Sequence, residues 1–390
     1  MRTHKSLDMD VIIVEILPRL PAKTLIRFKS VCKSLNSVIS SRDFVRLYLR
    51  HQTISSSAAD KRLVVAGDQR INCYHLDPHA TSSTKTFVMG PYMSVIGTSN
   101  GLLCIRLIKG NFCEYCILNP TTRIYLCIYT LDEEIGVKHS HGFGFDPENL
   151  DYIIVVFSDF RNNSAVKTRI TSVYSLNKNS WRVINEIAVA TDNILPFRKN
   201  GVLIGNNLLH WMFWNPTLDN YTIGCFDICK KKWTDDVVMP RLYYDPTCSK
   251  ETYVADFGVF DDCLFSTFKN GIKNGYDVWV MKEYGVQESW VMFLSIPVSS
   301  CFKGSVITPV ASCQSSDTVL VRLRYSSRLF WYNKVDGGLC DAKFDGAPNY
   351  LWDLQAYMCS RSLVHLQAYE SPFVSNNNKF GLFCSRERVD

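Results

Sequence analysis

Val173-Tyr174-Ser175-Leu176-Asn177-Lys178-Asn179-Ser180-Trp181 reads as a short strand, a polar turn and the first residue of a second strand. Its apolar and aromatic residues suit a pleated surface, and the asparagines between them suit a tight reversal. The pattern recurs from Cys225-Phe226-Asp227-Ile228 through Lys232-Trp233 and from Val278-Trp279-Val280-Met281 through Ser289-Trp290, with weaker versions beginning at Cys73, Cys116 and Phe330. The starts at 73, 116, 173, 225, 278 and 330 are separated by 43, 57, 52, 53 and 52 residues. That period is close to the roughly 40 to 50 residues of a four-stranded propeller blade. A lone blade cannot bury both of its faces, whereas a ring of blades can, with tryptophans filling the gaps. The expected fold is therefore mainly β, a six-bladed β-propeller, with a β-sandwich or an open barrel as the alternative.

Around this repeat the composition is that of a globular chain: 390 residues, 46% hydrophobic, 13% aromatic and 21% charged. A formal charge of +6, from 43 basic and 37 acidic residues, is too small and too interspersed to indicate a nucleic-acid partner. The opening MRTHKSLDMD lacks the apolar stretch of a secretory signal, and the longest clean apolar run, Ile153 to Phe157, is too short to cross a bilayer. No membrane partner is expected, and the chain reads as soluble and intracellular. Its 15 cysteines are scattered, many inside apolar runs such as Leu103-Cys104-Ile105, and read as reduced buried thiols.

The first fifty residues follow a different period. Leu7, Val11, Val14, Leu17 and Leu20 recur at three- and four-residue steps, which places them on one helical face. Pro21 breaks that helix and can open a second, striped by Leu25, Phe28, Val31 and Leu35; Val38, Ile39, Phe44, Leu47 and Leu49 supply a third helical stretch. Three short helices cannot bury this much apolar surface among themselves. The surplus faces either a partner or the rest of the chain. Residues 1–51 are thus read as a helical module, 52–61 as a Ser/Ala-rich linker, 62–370 as the β domain and 371–390 as a tail.

Ile16-Leu17-Pro18-Arg19-Leu20-Pro21-Ala22-Lys23-Thr24-Leu25-Ile26-Arg27-Phe28-Lys29-Ser30-Val31-Cys32-Lys33 resembles the F-box, with Asp8 where that family usually has proline and Leu35 where it usually has tryptophan. Asp8 can cap the first helix through its carboxylate. The resemblance implies docking onto a Skp-type adaptor and, through it, a cullin. Leu7, Asp8, Leu20, Pro21, Leu25 and Leu35 are the candidate adaptor-facing residues, and Phe28 and Val31 the candidate core. The β region resembles the F-box-associated domain of plant F-box proteins in six stretches: Ser99–Cys104, Leu118–Arg123, Gly142–Asp146, Tyr174–Trp181, Gly205–Trp211 and Asp277–Tyr284. This implies a substrate receptor of a ubiquitin ligase in the cytoplasm or nucleus, binding a protein to be ubiquitinated and similar to immune-regulatory and pollen S-locus members. A ligase-independent interaction scaffold is the alternative.

No catalytic group, cofactor or metal is expected. The eight histidines are dispersed, and no serine sits in a nucleophile elbow. Gly142-Phe143-Gly144-Phe145 lacks the third glycine of a phosphate loop and reads as backbone geometry at a blade turn. Cys113 with Cys116, and Cys225 with Cys229, lie in strand-like runs whose alternation points side chains apart rather than to one zinc. Asn162-Asn163-Ser164 has glycosylation spacing but belongs to a chain read as intracellular. Trp181, Trp233 and Trp290 read as inter-blade core. Trp211, Phe213, Trp214, Tyr243, Tyr244 and Tyr325 are assigned to irregular stretches, where rigid aromatics can anchor a substrate.

Overall fold

The computed structural model describes residues 11–366, apart from 55–60, 68, 76–82, 90–91, 110–111, 130–137, 162–166, 190–199, 206, 216–219, 241–252, 272–273, 298–304, 314–316, 325–327, 345–353 and 365. Blade one contains β1 (Lys61–Gly67), β2 (Arg70–His75) and β3 (Ser83–Val88), and blade two β4 (Met93–Ser99), β5 (Leu102–Lys109), β6 (Phe112–Asn119) and β7 (Ile124–Tyr129). Blade three contains β8 (Lys138–Asp146), β9 (Asp151–Arg161), β10 (Lys167–Ser175) and β11 (Ser180–Val189), and blade four β12 (Val202–Ile204), β13 (Leu208–Asn215), β14 (Asn220–Asp227) and β15 (Lys232–Val237). Blade five contains β16 (Tyr253–Phe260), β17 (Cys263–Asn270), β18 (Gly275–Met281) and β19 (Trp290–Pro297), and blade six β20 (Ile307–Ser312), β21 (Thr318–Leu323), β22 (Leu329–Asn333) and β23 (Leu339–Asp341).

The final strand, β24 (Gln355–Ser360), returns to blade one and pairs antiparallel with β1, from Lys61 opposite Ser360 to Ala66 opposite Gln355. This strand makes blade one four-stranded and closes the ring, so the architecture is the six-bladed propeller rather than a sandwich or open barrel. All six repeat starts fall on the third strand of a blade: Cys73 on β2, Cys116 on β6, Val173 on β10, Cys225 on β14, Val278 on β18 and Phe330 on β22.

The hairpin after that third strand has a common chemistry. Asn119, Asp227 and Asn333 each accept a bond from the amide two residues on, and Asn119 and Asp227 also from the next amide. Four residues beyond these positions, and beyond Ser175, the chain turns left-handed at Arg123, Lys231, Gly337 and Asn179. The side-chain acceptor holds the turn in place of a backbone ladder.

Six clusters of buried side chains fill the six junctions between blades. In β9, Ile153, Val155 and Phe157 face blade four while Ile154 and Val156 face blade two. A strand covered on both faces reads as an unbroken apolar run, which is why Ile153 to Phe157 shows no alternation. The tryptophans sit where expected: Trp181 between Tyr174 and Tyr115, Trp233 against Phe157 and Trp211, and Trp290 in the junction of blades four and five.

Gly142–Phe145 differs from its reading as a turn. It lies in β8, the innermost strand of blade three, where a Cβ on Gly142 would stand 2.8 Å from the Trp211 ring. Cys113 and Cys116 do point to opposite faces of β6, one into each neighbouring junction.

The helical module departs from three even helices. Ile12–Ile16 is a π-helical turn and Leu17–Arg19 a 3-10 turn, because Pro18 lacks the amide hydrogen that would continue an α-helical ladder. Then come α1 (Ala22–Phe28), α2 (Lys33–Ser40) and α3 (Arg42–Ile54). Pro21 caps α1, and Ser41 breaks the third stretch, its hydroxyl accepting from the Phe44 amide at 3.2 Å. Within the stretch read as linker, α3 continues to Ile54 and β1 begins at Lys61; residues 55–60 lie outside the described residues.

Candidate functional site

Antiparallel order gives the propeller two unlike ends. The turns joining first to second and third to fourth strands lie on one face, and those joining second to third strands, with the connections between blades, lie on the other. The helices rest on the first face. Val45 and Leu49 of α3 pack on the junction of blades two and three beside Leu150, Leu176 and Trp181.

A strap of chain after β24 completes the attachment. Leu363 is buried in the helical core with Leu17, Ala22, Leu25, Ile39, Phe44 and Tyr48. Asn119, wholly buried, donates through Nδ2 to the carbonyls of Ser362 at 3.3 Å and Val364 at 2.8 Å, while its Oδ1 accepts from the amides of Thr121 and Thr122. The Leu118–Arg123 stretch noted in the sequence thus contains the joint between propeller and helices.

The core formed with Leu363 leaves several apolar side chains uncovered. Val11, Val14 and Ile16 are 46%, 46% and 42% exposed, Val31 is 68% exposed, and Pro21 is also exposed. Residues 1–54 carry ten basic and four acidic side chains, leaving 33 of each sign in the rest of the chain, so the whole formal charge belongs to the helical end. Lys23, Arg27 and Lys33 are exposed on the same module. A partner surface both apolar and acidic suits it.

The sequence-assigned adaptor residues scatter over this module. Leu7 and Asp8 lie outside the described residues, Pro21 is exposed, and Leu20 and Leu35 are half-buried against the helical core. Leu25 is a correction: it is fully buried, because α1 turns it toward Leu17 and Tyr48. Val31 is the opposite correction, lying outside the core because α1 ends at Phe28 and Val31 falls in the turn before α2. Val11, Val14 and Ile16 are exposed without having been among the candidates; the sequence signal for them is Pro18, which ends the helical face that Val11 and Val14 were assigned to.

The proposed substrate aromatics also divide. Trp211 and Phe213 belong to β13 rather than an irregular stretch, and are buried, 1% and 7% exposed, against Phe157 and Trp233. Gly142 and Gly201 make room for the indole of Trp211. Trp214 is half-buried with its ring 5.0 Å from that of Tyr221. Tyr243, Tyr244 and Tyr325 lie outside the described residues. Exposed apolar side chains that border the face away from the helices include Tyr92, Val238 and Tyr253, at 79%, 44% and 54%. Tyr253 is opposite Lys269 in register, and Lys269 Nζ lies 4.7 Å from the Tyr276 ring centre.

Between the faces runs a channel of about 760 Å³ lined by the innermost strands. Of its lining residues, Tyr357 donates to the Val95 carbonyl at 3.1 Å, Thr308 donates to Asp256, and Arg322 donates to the Leu354 carbonyl at 2.7 Å. Among the described residues no three of His, Cys, Asp or Glu stand together as a metal site, and no helix is long and apolar enough to cross a membrane.

Two further sequence stretches meet where buried His210 touches the half-exposed Tyr284. His210 Nε2 lies 2.6 Å from the hydroxyl of Tyr284, which in turn donates to Cys225 Sγ. Burial pushes the imidazole of His210 down to about 4. Above pH 6.5 this residue is neutral whether the chain is folded or unfolded; between 6.5 and 4 only the unfolded chain takes up the proton, so stability falls as the pH falls. The drop attributable to His210 is about 3 kcal/mol from the 1.36 kcal/mol per pKa unit of linkage. Urea unfolding at pH 7.5 and 4.5 should show a loss that His210→Gln reduces; an equal loss in both proteins contradicts the assignment.

Comparison with known proteins agrees with this geometry. Residues 70–331 match the family described as "F-box associated beta propeller domain", and residues 10–47 match the F-box domain. The chain is 27% identical to the F-box protein CPR1 of Arabidopsis thaliana over 88% of this chain and 86% of that protein. It is also 27% identical to an Arabidopsis thaliana F-box/kelch-repeat protein, over 83% and 86% respectively. Among solved structures, a chain of a nidogen/laminin complex aligns with 77% of this chain and 99% of its own length, at 12% identity and a TM-score of 0.46.

Proposed function

Because this chain belongs to the plant F-box proteins that carry an F-box-associated β-propeller, we propose that it is a substrate receptor of an SCF-type ubiquitin ligase. The helical end binds a Skp-type adaptor, and through it a cullin; the propeller binds a protein to be ubiquitinated. The chain itself catalyses nothing in this reading. By tethering substrate and conjugating enzyme it raises the local concentration of acceptor lysines, turning an encounter between free molecules into a nearly intramolecular one. Work in the cytoplasm or nucleus, on a target in immune regulation or pollen recognition, is the finer form of the proposal.

One observation carries the reading: the helical module keeps Val11, Val14, Ile16, Pro21 and Val31 exposed even though its core is closed by Leu363 and it rests on its own propeller. Intramolecular docking therefore does not use up the apolar surplus, which favours a receptor over a self-contained scaffold. The substrate side of the reading draws on the opposite face, where Tyr92, Val238 and Tyr253 are exposed.

The test is co-purification with a Skp-type adaptor. Val14→Glu combined with Val31→Glu is expected to weaken adaptor binding by at least about tenfold, the scale of losing two apolar anchors from an interface, with the circular dichroism of the chain unchanged. Retained binding by the folded double variant overturns the adaptor assignment. These exposed positions are better probes than Leu25, whose burial would confuse lost binding with lost folding.

A further inference from the structure

At the seam between blades one and two, on the face that carries the helices, Lys85, Arg123 and Arg361 gather. Lys85, on β3, reaches across to blade two, where Nζ donates to the carbonyls of Pro120 at 2.8 Å and Thr121 at 2.7 Å. The same turn holds the strap, since the Ser362 amide donates to Thr121 Oγ1 at 3.1 Å. That bond ties the strap carrying Arg361, only 9% exposed, to the turn that Lys85 reaches, near enough for the Arg361 charge to act on Lys85, and Arg123 follows in the same turn. Arg62, opposite Cys359 in register, borders the group from β1. No hydrogen bond or ion pair joins Lys85, Arg123 or Arg361 to a carboxylate among the described residues. Burial, followed by the charges of Arg62, Arg123 and Arg361, pushes the Lys85 ammonium down to about 8.

Donors are also left over at this place. Arg361 Nε, Thr122 Oγ1 and Asn100 Nδ2 are buried with no hydrogen-bond partner. Asn100 precedes Gly101, where an added Cβ would lie 3.1 Å from the backbone carbon of Arg361, so the Asn100–Gly101 turn is pressed against the strap. Like charges and unpaired donors held together in a partly dry setting are costly unless an anion satisfies them.

We propose that this cluster is a binding site for a small, free phosphate-type oxyanion, seated where the propeller joins its helical module. Several oxygens on one centre match the fork of a guanidinium, the ammonium and the hydroxyl and amide donors around them. The site is built from two of the sequence stretches that define the family likeness, Ser99–Cys104 and Leu118–Arg123, with Arg361 from the strap. An anion there draws the strap onto blade two and so stiffens the support of Leu363 within the helices. The ligand thus sets how firmly the helical end is held relative to the propeller.

The test uses the full chain in phosphate-free buffer, with pyrophosphate, inorganic phosphate or sodium chloride added at matched ionic strength. Pyrophosphate is expected to bind tighter than about 1 mM by calorimetry and to raise the unfolding midpoint. Arg123→Gln, at an exposed position, is expected to weaken that binding about tenfold, the effect of one charge-assisted contact, and Lys85→Gln with Arg361→Gln to abolish it. An equal response to sodium chloride, or unchanged pyrophosphate affinity in folded Arg123→Gln, overturns the site. Arg123→Gln decides the matter even if the double variant does not fold, and adaptor binding plays no part in the readout.

Discussion

Gly101→Val is expected to destabilise the protein by about 2–6 kcal/mol, from a left-handed backbone that costs about 1–3 kcal/mol for such a residue and overpacking that costs about 1–3 kcal/mol. Gly101 has φ +75°, a conformation that a β-branched residue rarely adopts. The new Cβ would lie 2.4 Å from the carbonyl oxygen of Ser360, 2.8 Å from Ser362 Cβ and 3.1 Å from the Arg361 carbonyl carbon. Two of those three neighbours are backbone atoms, which cannot swing away. They belong to the end of the closing strand and the start of the strap, so relief would loosen both ring closure and the support of the helices. Gly205 is the internal control. It is also left-handed, φ +60°, but a Cβ there meets nothing within 4 Å, so Gly205→Ala should cost only the conformational strain of about 1–2 kcal/mol. Urea unfolding followed by circular dichroism reads both, and a Gly101→Val midpoint at or above that of Gly205→Ala contradicts the account.

Leu363→Ala is the second large effect, and it should appear far from its place in the chain. The side chain is 1% exposed and fills a core otherwise made by Leu17, Ala22, Leu25, Ile39, Phe44 and Tyr48. Truncating a buried leucine costs about 2–5 kcal/mol through lost burial and the cavity left behind. A free-standing core of this size has little stability to lose, so the helices should loosen before the propeller does. Amide exchange in α1 and α3 is expected to accelerate, and adaptor binding to weaken, while exchange in β9 and β17 stays as in the parent. Unchanged exchange in the helices would mean that the strap merely touches the helical core without supporting it.

Much of this architecture was legible in the amino-acid order, because its signals are local. The hairpin from Val173 to Trp181 states its own turn: a hydroxyl or amide acceptor at the end of one strand, a left-handed residue four positions later and an aromatic opening the next strand. Repeated at blade intervals, that pattern located the third strand of all six blades, including the weak copies at Cys73 and Phe330. The helical module was legible for the same reason, since Pro21 and the spacing of its leucines are properties of short segments.

The candidate site was less legible. Trp211, assigned to an irregular stretch, is buried in the space left by Gly142 and Gly201, neither of them a neighbour on its own strand. Val31 lies outside the core because α1 stops at Phe28, before the apolar stripe reaches it, and Leu25 is buried within α1. The seam cations are 62, 85, 123 and 361 in the chain, a spacing without any period.

By itself, the sequence determined the blade repeat, the helical module and the family, since each is written in residue types a few positions apart and in the geometry those types prefer. Only the tertiary structure decided that Gln355–Ser360 closes the ring, that Leu363 completes the helical core, and which apolar side chains remain uncovered. The physical reason is that propensity and periodicity specify how a segment is shaped and which residues share a face. Whether that face is buried depends on what packs against it, and in a closed ring the covering residues come from anywhere in the chain.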